Sequence, residues 1–467
     1  MTTIESVEPA TEAVRARFES HSSADVAAAI AAADAAFRSW RTVPIPDRAI
    51  PLKALARVLR DRRDRYAHLI TTEMGKPITE ALAEIDKCAL TCDFYAEHAA
   101  AFLADEPVAT NARQSYVAFE PLGVILAVMP WNYPFWQVVR FLAPALMAGN
   151  AALLKHASNV PQCALALEEA VRDAGFPPGI LCTLLVAGAA IEPVIADHRV
   201  RAVTLTGSTE TGARIAELAG RAVKKAVLEL GGSDPFIVLR DADLRLAAQT
   251  AAKARFQNAG QSCIAAKRFL VEAPVAMEFE RFFADAIRAL RVGDPLDPAT
   301  QVGPLARQDL RAALERQVAA SVRMGARVVV GGRKRDGKGW FYEPTLLADV
   351  TEAMPVLTEE TFGPVAALLT VRDADEAVRV ANTSPYGLGA ALWTANVGAA
   401  RAIARRIESG SVFINGMVAS DPRLPFGGVK NSGYGRELSS FGIREFVNIQ
   451  TIWIGPADGP SMVANAE

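Results

Sequence analysis

Stretches with a helical spacing of apolar residues alternate with short apolar runs along most of this 467-residue chain. Ala27 to Trp40 is alanine-rich with helical spacing. Lys76 to Asp105 sets Ala81, Ile85, Cys88, Cys92 and Tyr95 on one face of a long helix. Gly123-Val-Ile-Leu-Ala-Val-Met129 is wholly apolar, the pattern of a strand buried on both faces of a parallel sheet. Ala151 to Lys155 and Ala202 to Thr206 repeat it. The helices Pro161 to Ala174, closed by Gly175, and Thr211 to Ala219 follow them.

A second series starts near Asp234. It runs through strand Phe236 to Leu239, helix Leu244 to Ala259, strand Arg268 to Val271, helix Ala276 to Leu290, helix Leu305 to Met324 and strand Arg327 to Val330, and closes on a helix–strand pair ending at Ile414. The β-α-β succession predicts two α/β domains built on parallel, doubly wound sheets. Gln114 to Phe119 and Phe446 to Ile454 alternate polar and apolar residues and fit neither series. They read as paired strands of an extended arm, the kind that makes oligomer contacts. The basic, glycine-rich segment Gly331 to Gly339 reads as a solvated hairpin turn.

Composition narrows the class. Lys and Arg number 50 against 52 Asp and Glu, a net charge of −2, which argues against a general nucleic-acid binder. With 51% hydrophobic and 22% charged residues, disorder is excluded as a description of the chain. The first residues carry Glu5, Glu8 and Glu12 and lack the basic start and apolar run of a signal peptide. The longest apolar stretch, Gly123 to Trp136, is too short to cross a bilayer. Five cysteines, with no Cys-x-x-Cys pair, and five scattered histidines indicate neither disulfides nor a metal site, and a reducing cytoplasm is the expected location. Cys88, Cys92, Cys163 and Cys182 fall in apolar patterns and are assigned to the core.

Four segments carry candidate chemistry, each with a plainer alternative. In Asn258-Ala-Gly-Gln-Ser-Cys263, small polar neighbours surround a cysteine whose thiolate could attack a carbonyl while its own N–H holds the oxyanion; the alternative is a buried structural thiol. In Leu228-Glu229-Leu-Gly-Gly232 a carboxyl ends an apolar strand, as a general base with a raised pKa would, or as a carboxylate tied at a turn would. Pro130-Trp-Asn132-Tyr-Pro134 fixes an amide directly after a buried strand, either to stabilise negative charge or only to end the strand. Thr206-Gly-Ser208 leads into a helix whose cap is Ser208 or Thr209 and whose N-terminus attracts phosphate; neither the Gly-x-Gly-x-x-Gly fingerprint nor a P-loop is present.

In order and spacing these segments, with Leu154-Lys155-His-Ala-Ser158, Glu359-Glu360-Thr-Phe362-Gly-Pro364 and Pro425-Phe-Gly-Gly-Val-Lys430, resemble the aldehyde dehydrogenase superfamily over nearly the whole chain. Leu154 to Pro161 and Gly231 to Val238 are most similar to bacterial succinate-semialdehyde dehydrogenases. The resemblance implies two Rossmann-like doubly wound domains, cofactor-binding (1–110 and 127–230) and catalytic (231–420), plus a small β oligomerisation arm (111–126 and 445–460) of a homodimer or homotetramer. It implies Cys263 as nucleophile, Asn132 and the Cys263 N–H as oxyanion hole, hydride loss to a nicotinamide to leave a thioester, and Glu229 to activate the hydrolytic water. It implies a dinucleotide held by Lys155 at the adenosine ribose, Gly207 and Ser208 at the pyrophosphate, Glu360 at the nicotinamide ribose and Phe362 at the ring, with Trp131, His156, Ala157 and Leu230 lining the site. Ser158 is small and neutral where relatives that prefer NAD often carry an acid. NADP is therefore expected and NAD is the alternative, as is a Ser158 that merely caps the helix from Pro161.

For the substrate, the resemblance points to Arg140, eight residues after Asn132, as the anchor of a distal carboxylate; an ion pair is the alternative. Gln257 stands where several such enzymes have a second arginine, and Ser420 or Arg423 could compensate. Ala265 replaces a second cysteine that forms a redox-switch disulfide in some relatives. The expected reaction is oxidation of succinate semialdehyde to succinate. The alternatives are glutarate semialdehyde, a neutral aliphatic aldehyde, a cofactor-free thiol hydrolase, or a non-catalytic oligomer that keeps the fold.

Overall fold

The computed structural model describes residues 3–455. Two α/β sheets organise it. The first has six strands. Val124–Met129 lies beside Ala151–His156 and then Leu181–Thr183 on one side, and beside Val200–Thr206, Lys225–Glu229 and Gly433–Tyr434 on the other. All pair in parallel except the last. The wholly apolar run at 124–129 is the central strand because helices cover both faces, so no position can be polar.

The chain moves outward from this strand in one direction and then returns to build on its other edge. The reversal falls between Val124–Met129 and Val200–Thr206, and a ligand crevice opens at the carboxyl ends of strands at such a reversal. Those ends carry Pro130 to Pro134 and Gly207-Ser208.

The second sheet runs Arg327–Val330, Thr345–Ala348, Val365–Val371, Ala266–Glu272, Asp234–Val238, Gly389–Trp393 and Ser411–Ile414, parallel except for the first. Residues 230–233 join the two sheets, so the carboxyl end of one strand of the first, Glu229, leads straight into a strand of the second.

A third, antiparallel sheet pairs Val447–Ile454 with Gln114–Pro121, which also pairs with Glu106–Pro107. The two alternating segments of the expected arm do meet. Residues 456–460 of that expectation lie outside the described residues, and Glu106–Pro107 belongs to this sheet although the sequence placed it in the first domain. A hairpin of Thr3–Val7 and Val14–Glu19 and the helices Ile45–Asp61 and Arg63–Met74 were not anticipated.

Most predicted helices shift only at their ends. The first runs Ser23–Trp40, with Ser22 and Asp25 in a reciprocal capping box. The long helix is Ile78–Phe102. One boundary needs correction. The helix expected to reach Ala259 stops at Phe256, and Asn258, Ala259 and Gly260 all adopt positive φ (53°, 51° and 73°). Helical periodicity cannot register such a reversal, because the residues that make it are as small as those of a helix. Gly331 to Gly339 is largely exposed, with a single bridge from Lys334 to Tyr342 closing the loop, as a solvated turn requires. Cys88, Cys92, Cys163 and Cys182 are buried.

Candidate active site

The left-handed turn at 258–260 delivers Cys263 to the junction of the two sheets. Asn258 holds that turn from two sides: its side-chain amide donates to the carbonyls of Asn132 (2.8 Å) and Gln261 (3.0 Å), and its backbone N–H donates to Glu80 (2.7 Å). The Asn132 side chain donates to the same Gln261 carbonyl at 3.1 Å. The Pro130–Pro134 turn and the cysteine loop are thus tied together, and this single bond leaves the second N–H of the Asn132 amide free to donate. Gly232 packs against the cysteine backbone; a Cβ there would stand 2.5 Å from the Cys263 carbonyl oxygen, which excludes any side chain.

Cys263 is partly buried, unlike the other four cysteines. Loss of water pushes its thiol up to about 12, against the pull of Arg140 and Lys267. Lys267 is fully buried and binds the carbonyls of Ser262 (3.0 Å) and Cys263 (2.8 Å), with Glu360 at 3.7 Å.

Glu229 pairs with Thr206 at the strand ends. Its carboxyl is buried and neither oxygen has a hydrogen-bond partner among the described residues. Burial, then the neighbouring Glu437 carboxyl, drives its pKa well above the ordinary value, while Arg140 pulls it down. Arg140 forms a buried ion pair with Glu437, so one guanidinium faces two carboxyls. Glu437 touches it, so the contact with the guanidinium opposes the rise that burial gives the Glu437 pKa, while Glu229 lacks that contact.

The residues expected at the substrate all have partners within the fold. Arg140 is buried: besides Glu437 it donates to the Thr206 hydroxyl at 3.2 Å and lies 4.8 Å from the Phe426 ring centre. A residue on an otherwise apolar, fully buried helix must find its counter-ion inside the protein. Arg423 is exposed and clamped by Asp421 (2.8 and 2.6 Å). The Ser420 hydroxyl accepts from Lys87 at 2.6 Å, and Gln257 donates to Tyr133 at 3.3 Å.

The residues expected at the dinucleotide lie around the crevice. Lys155 ends its strand with no hydrogen-bond or ion-pair partner among the described residues, and loss of water alone lowers its pKa. Ser158 is exposed and does not cap the helix from Pro161, whose cap position is Val160 with no side-chain bond. The alternative reading of Ser158 therefore falls. Its hydroxyl and the lone Lys155 ammonium fit an added phosphate, and the hollow beside them, which also includes Ala157 and Leu185, contains no acidic residue.

Ser208 caps the helix Thr209–Arg221 by accepting from the Thr211 N–H, and Gly207 precedes it. Glu360 accepts from the Gly232 N–H at 2.9 Å, and the Phe362 and Trp131 rings pack edge to face at 5.7 Å. His156 is buried, with a pKa lowered to about 4. Its neutral ring bridges Pro134 O (2.8 Å) and the Ala157 N–H (2.9 Å), so its part is to hold the strand end to the Pro134 turn. The Leu230 N–H donates to Ser432 O, and its side chain lies against Gly212.

The long helix Ile78–Phe102 contributes a face that the sequence reading passed over. Glu80, Glu84 and Lys87 follow one another at i, i+4 and i+7. Glu80 holds Asn258. Glu84 accepts the N–H groups of Phe135 and Trp136, both at 2.9 Å, and pairs with buried Lys76. Lys87 reaches Ser420. The available signal was the charge at 84 inside a stripe of buried positions.

The profile of the aldehyde dehydrogenase family matches residues 1–452. A probable succinate-semialdehyde dehydrogenase [NADP(+)] of Synechocystis is 53% identical over 97% of this chain and 99% of its own. Succinate-semialdehyde dehydrogenase [NADP(+)] 1 of Mycobacterium tuberculosis is 50% identical over 97% and 99%. The crystal structure of succinic semialdehyde dehydrogenase from Streptococcus pyogenes, in complex with NADP+ as the cofactor, superposes with a TM-score of 0.95 at 40% identity, covering 97% of this chain and all of that one. The chain belongs to the aldehyde dehydrogenase family.

Proposed function

We propose that this protein oxidises succinate semialdehyde to succinate with NADP as hydride acceptor, as a cytoplasmic homodimer or homotetramer. One arrangement supports the reading: the Asn132 turn is tied to the cysteine loop through Gln261 O, Gly232 packs on the Cys263 carbonyl, and the strand that ends at Glu229 runs straight into that segment. The names of the relatives support the substrate and the cofactor.

In this reading the Cys263 thiolate adds to the aldehyde carbon. The resulting oxyanion accepts hydrogen bonds from the free N–H of the Asn132 amide and from the Cys263 backbone N–H. NADP, when bound, supplies the acceptor for a hydride. Loss of that hydride from the thiohemiacetal leaves a thioester on Cys263. Glu229, once ionised, takes a proton from water, the water adds to the thioester carbon, and the thiolate leaves as the acid forms.

Burial raises the pKa of both groups, so the thiolate and the Glu229 carboxylate each need a proton removed before they act. Lys155 and Ser158 would meet the added phosphate of NADP, Gly207 and Ser208 the pyrophosphate, Glu360 the nicotinamide ribose, and Trp131 and Phe362 the ring, with His156, Ala157 and Leu230 around them. Residues 1–110 with 127–230 are assigned to cofactor binding, 231–420 to catalysis, and the three-stranded sheet to oligomer contact.

Steady-state rates for a panel of short aldehydes with NADP and NAD test the reading. Succinate semialdehyde with NADP is expected to exceed butanal, and NADP to exceed NAD, by about tenfold or more in kcat/KM. Equal values for butanal would replace the semialdehyde with a neutral aldehyde. Ester hydrolysis with no cofactor reduced by any aldehyde would replace oxidation itself.

A further inference from the structure

We infer that Lys87, through its ammonium group and the Ser420 hydroxyl it contacts, anchors the distal carboxylate of the substrate and so sets specificity for an acidic aldehyde. This deepens the proposed function and rests on it. A four-carbon semialdehyde carries an anion that must meet a cation near the reacting carbon, and Arg140, whose charge acts on Cys263, already shares Glu437. Arg140 is paired with Glu437, Arg423 is held by Asp421 at the exposed loop, and position 257 is a neutral glutamine.

Lys87 is different. It is partly buried, has no carboxylate partner among the described residues, and donates to Ser420 at 2.6 Å. Its ammonium stands 4.1 Å from the centre of the Trp136 ring, and Trp136 opens the helix that follows Asn132. The Ser420 hydroxyl accepts from Lys87, so its own hydrogen is free to point at a second carboxylate oxygen. Two donors then face one carboxylate beside the Trp136 ring.

The groups around Lys87 agree. On its own helix, Glu84 is saturated by Lys76 and two backbone N–H groups, and Cys88 is a buried thiol. On the neighbouring helix stands Arg140, a like charge, and on the 420 loop Asp421, already bound to Arg423. Burial first, and then Arg140, lower the Lys87 pKa to about 8. A cation with no carboxylate of its own beside it favours an added anion. Above that pKa the ammonium loses its proton, so recognition of the anion weakens as pH rises.

The test is the ratio of kcat/KM for succinate semialdehyde to that for butanal, measured with NADP from pH 6.5 to 9.5 in wild type, Lys87→Met and Lys87→Arg. In Lys87→Met the ratio is expected to fall about 10–100-fold, carried by KM of the semialdehyde, with Lys87→Arg restoring most of it. In wild type the ratio should decline above pH 8, and in Lys87→Arg it should stay flat. The Ki of succinate should rise with its ratio in Lys87→Met, and the Ki of butyrate should not follow. An unchanged ratio in Lys87→Met, or a loss of kcat on both aldehydes, overturns the inference. Should Lys87→Met not fold, the pH limb and its absence in Lys87→Arg decide. A wild type without preference for the semialdehyde defeats the substrate reading and this inference with it. A wild type that prefers the semialdehyde, joined to a Lys87→Met that keeps the preference, defeats this inference alone.

Discussion

Glu229 shows what one side chain does when burial removes water without supplying a partner. Its folded pKa lies well above the ordinary 4.5, so the folded chain holds a proton that the unfolded chain releases. Stability from this group is complete below about pH 4.5 and is lost as pH climbs toward the folded value. Glu229→Gln removes the ionisable group and keeps the shape. It is expected to raise the melting temperature at pH 8 more than at pH 5, by about 1 °C for each kcal/mol recovered in a chain of this length. The same variant should form the acyl-enzyme and fail to hydrolyse it, so that a stoichiometric burst of reduced cofactor is followed by turnover slowed about 100-fold or more. A burst absent and a steady rate unaltered would take the hydrolytic role from Glu229.

At the scale of elements, the long helix Ile78–Phe102 positions the site from behind. Glu84 joins it to the start of the helix Trp136–Met147 by accepting two N–H groups that this helix has no internal partner for. Its other oxygen pairs with Lys76, whose ammonium also stands 3.6 Å from the Tyr133 ring centre. Glu84→Gln keeps an acceptor but leaves Lys76 buried without its counter-ion, and should cost about 3–5 kcal/mol in urea unfolding. Lys76→Met combined with Glu84→Gln should recover a good part of that loss, because no charge is then stranded. A cost below 1 kcal/mol in the single variant would show that water reaches the pair.

At the scale of the whole molecule, the arm sheet has an open edge among the described residues. Val447–Ile454 is the outer strand of the three-stranded sheet, and Ile449 (65% exposed) and Trp453 (45%) project from the same face of it. An apolar face along an unpaired strand edge invites another chain. With Ile449→Asp and Trp453→Asp together, sedimentation should report a smaller species, down to the 49.8 kDa of one chain. If the mass is the same as in wild type, the arm is not the contact.

The local patterns by themselves determined the alternation of helices and buried strands, because burial on both faces demands continuous apolar runs such as 124–129. The resemblance of short segments such as Asn258–Cys263 and Leu228–Gly232 identified which residue types would do chemistry. What the sequence could not supply was the pairing of charges distant along the chain. Arg140 looked like a free anchor because Glu437, almost 300 positions later, is joined to it only by folding. Nothing in the sequence singles out Lys87, because Ser420 and Trp136 reach it only when three elements pack together. Periodicity is a property of neighbours within a few residues and so survives in the sequence. The fate of a charge depends on what desolvates it and what lies opposite, and the tertiary structure alone decides both.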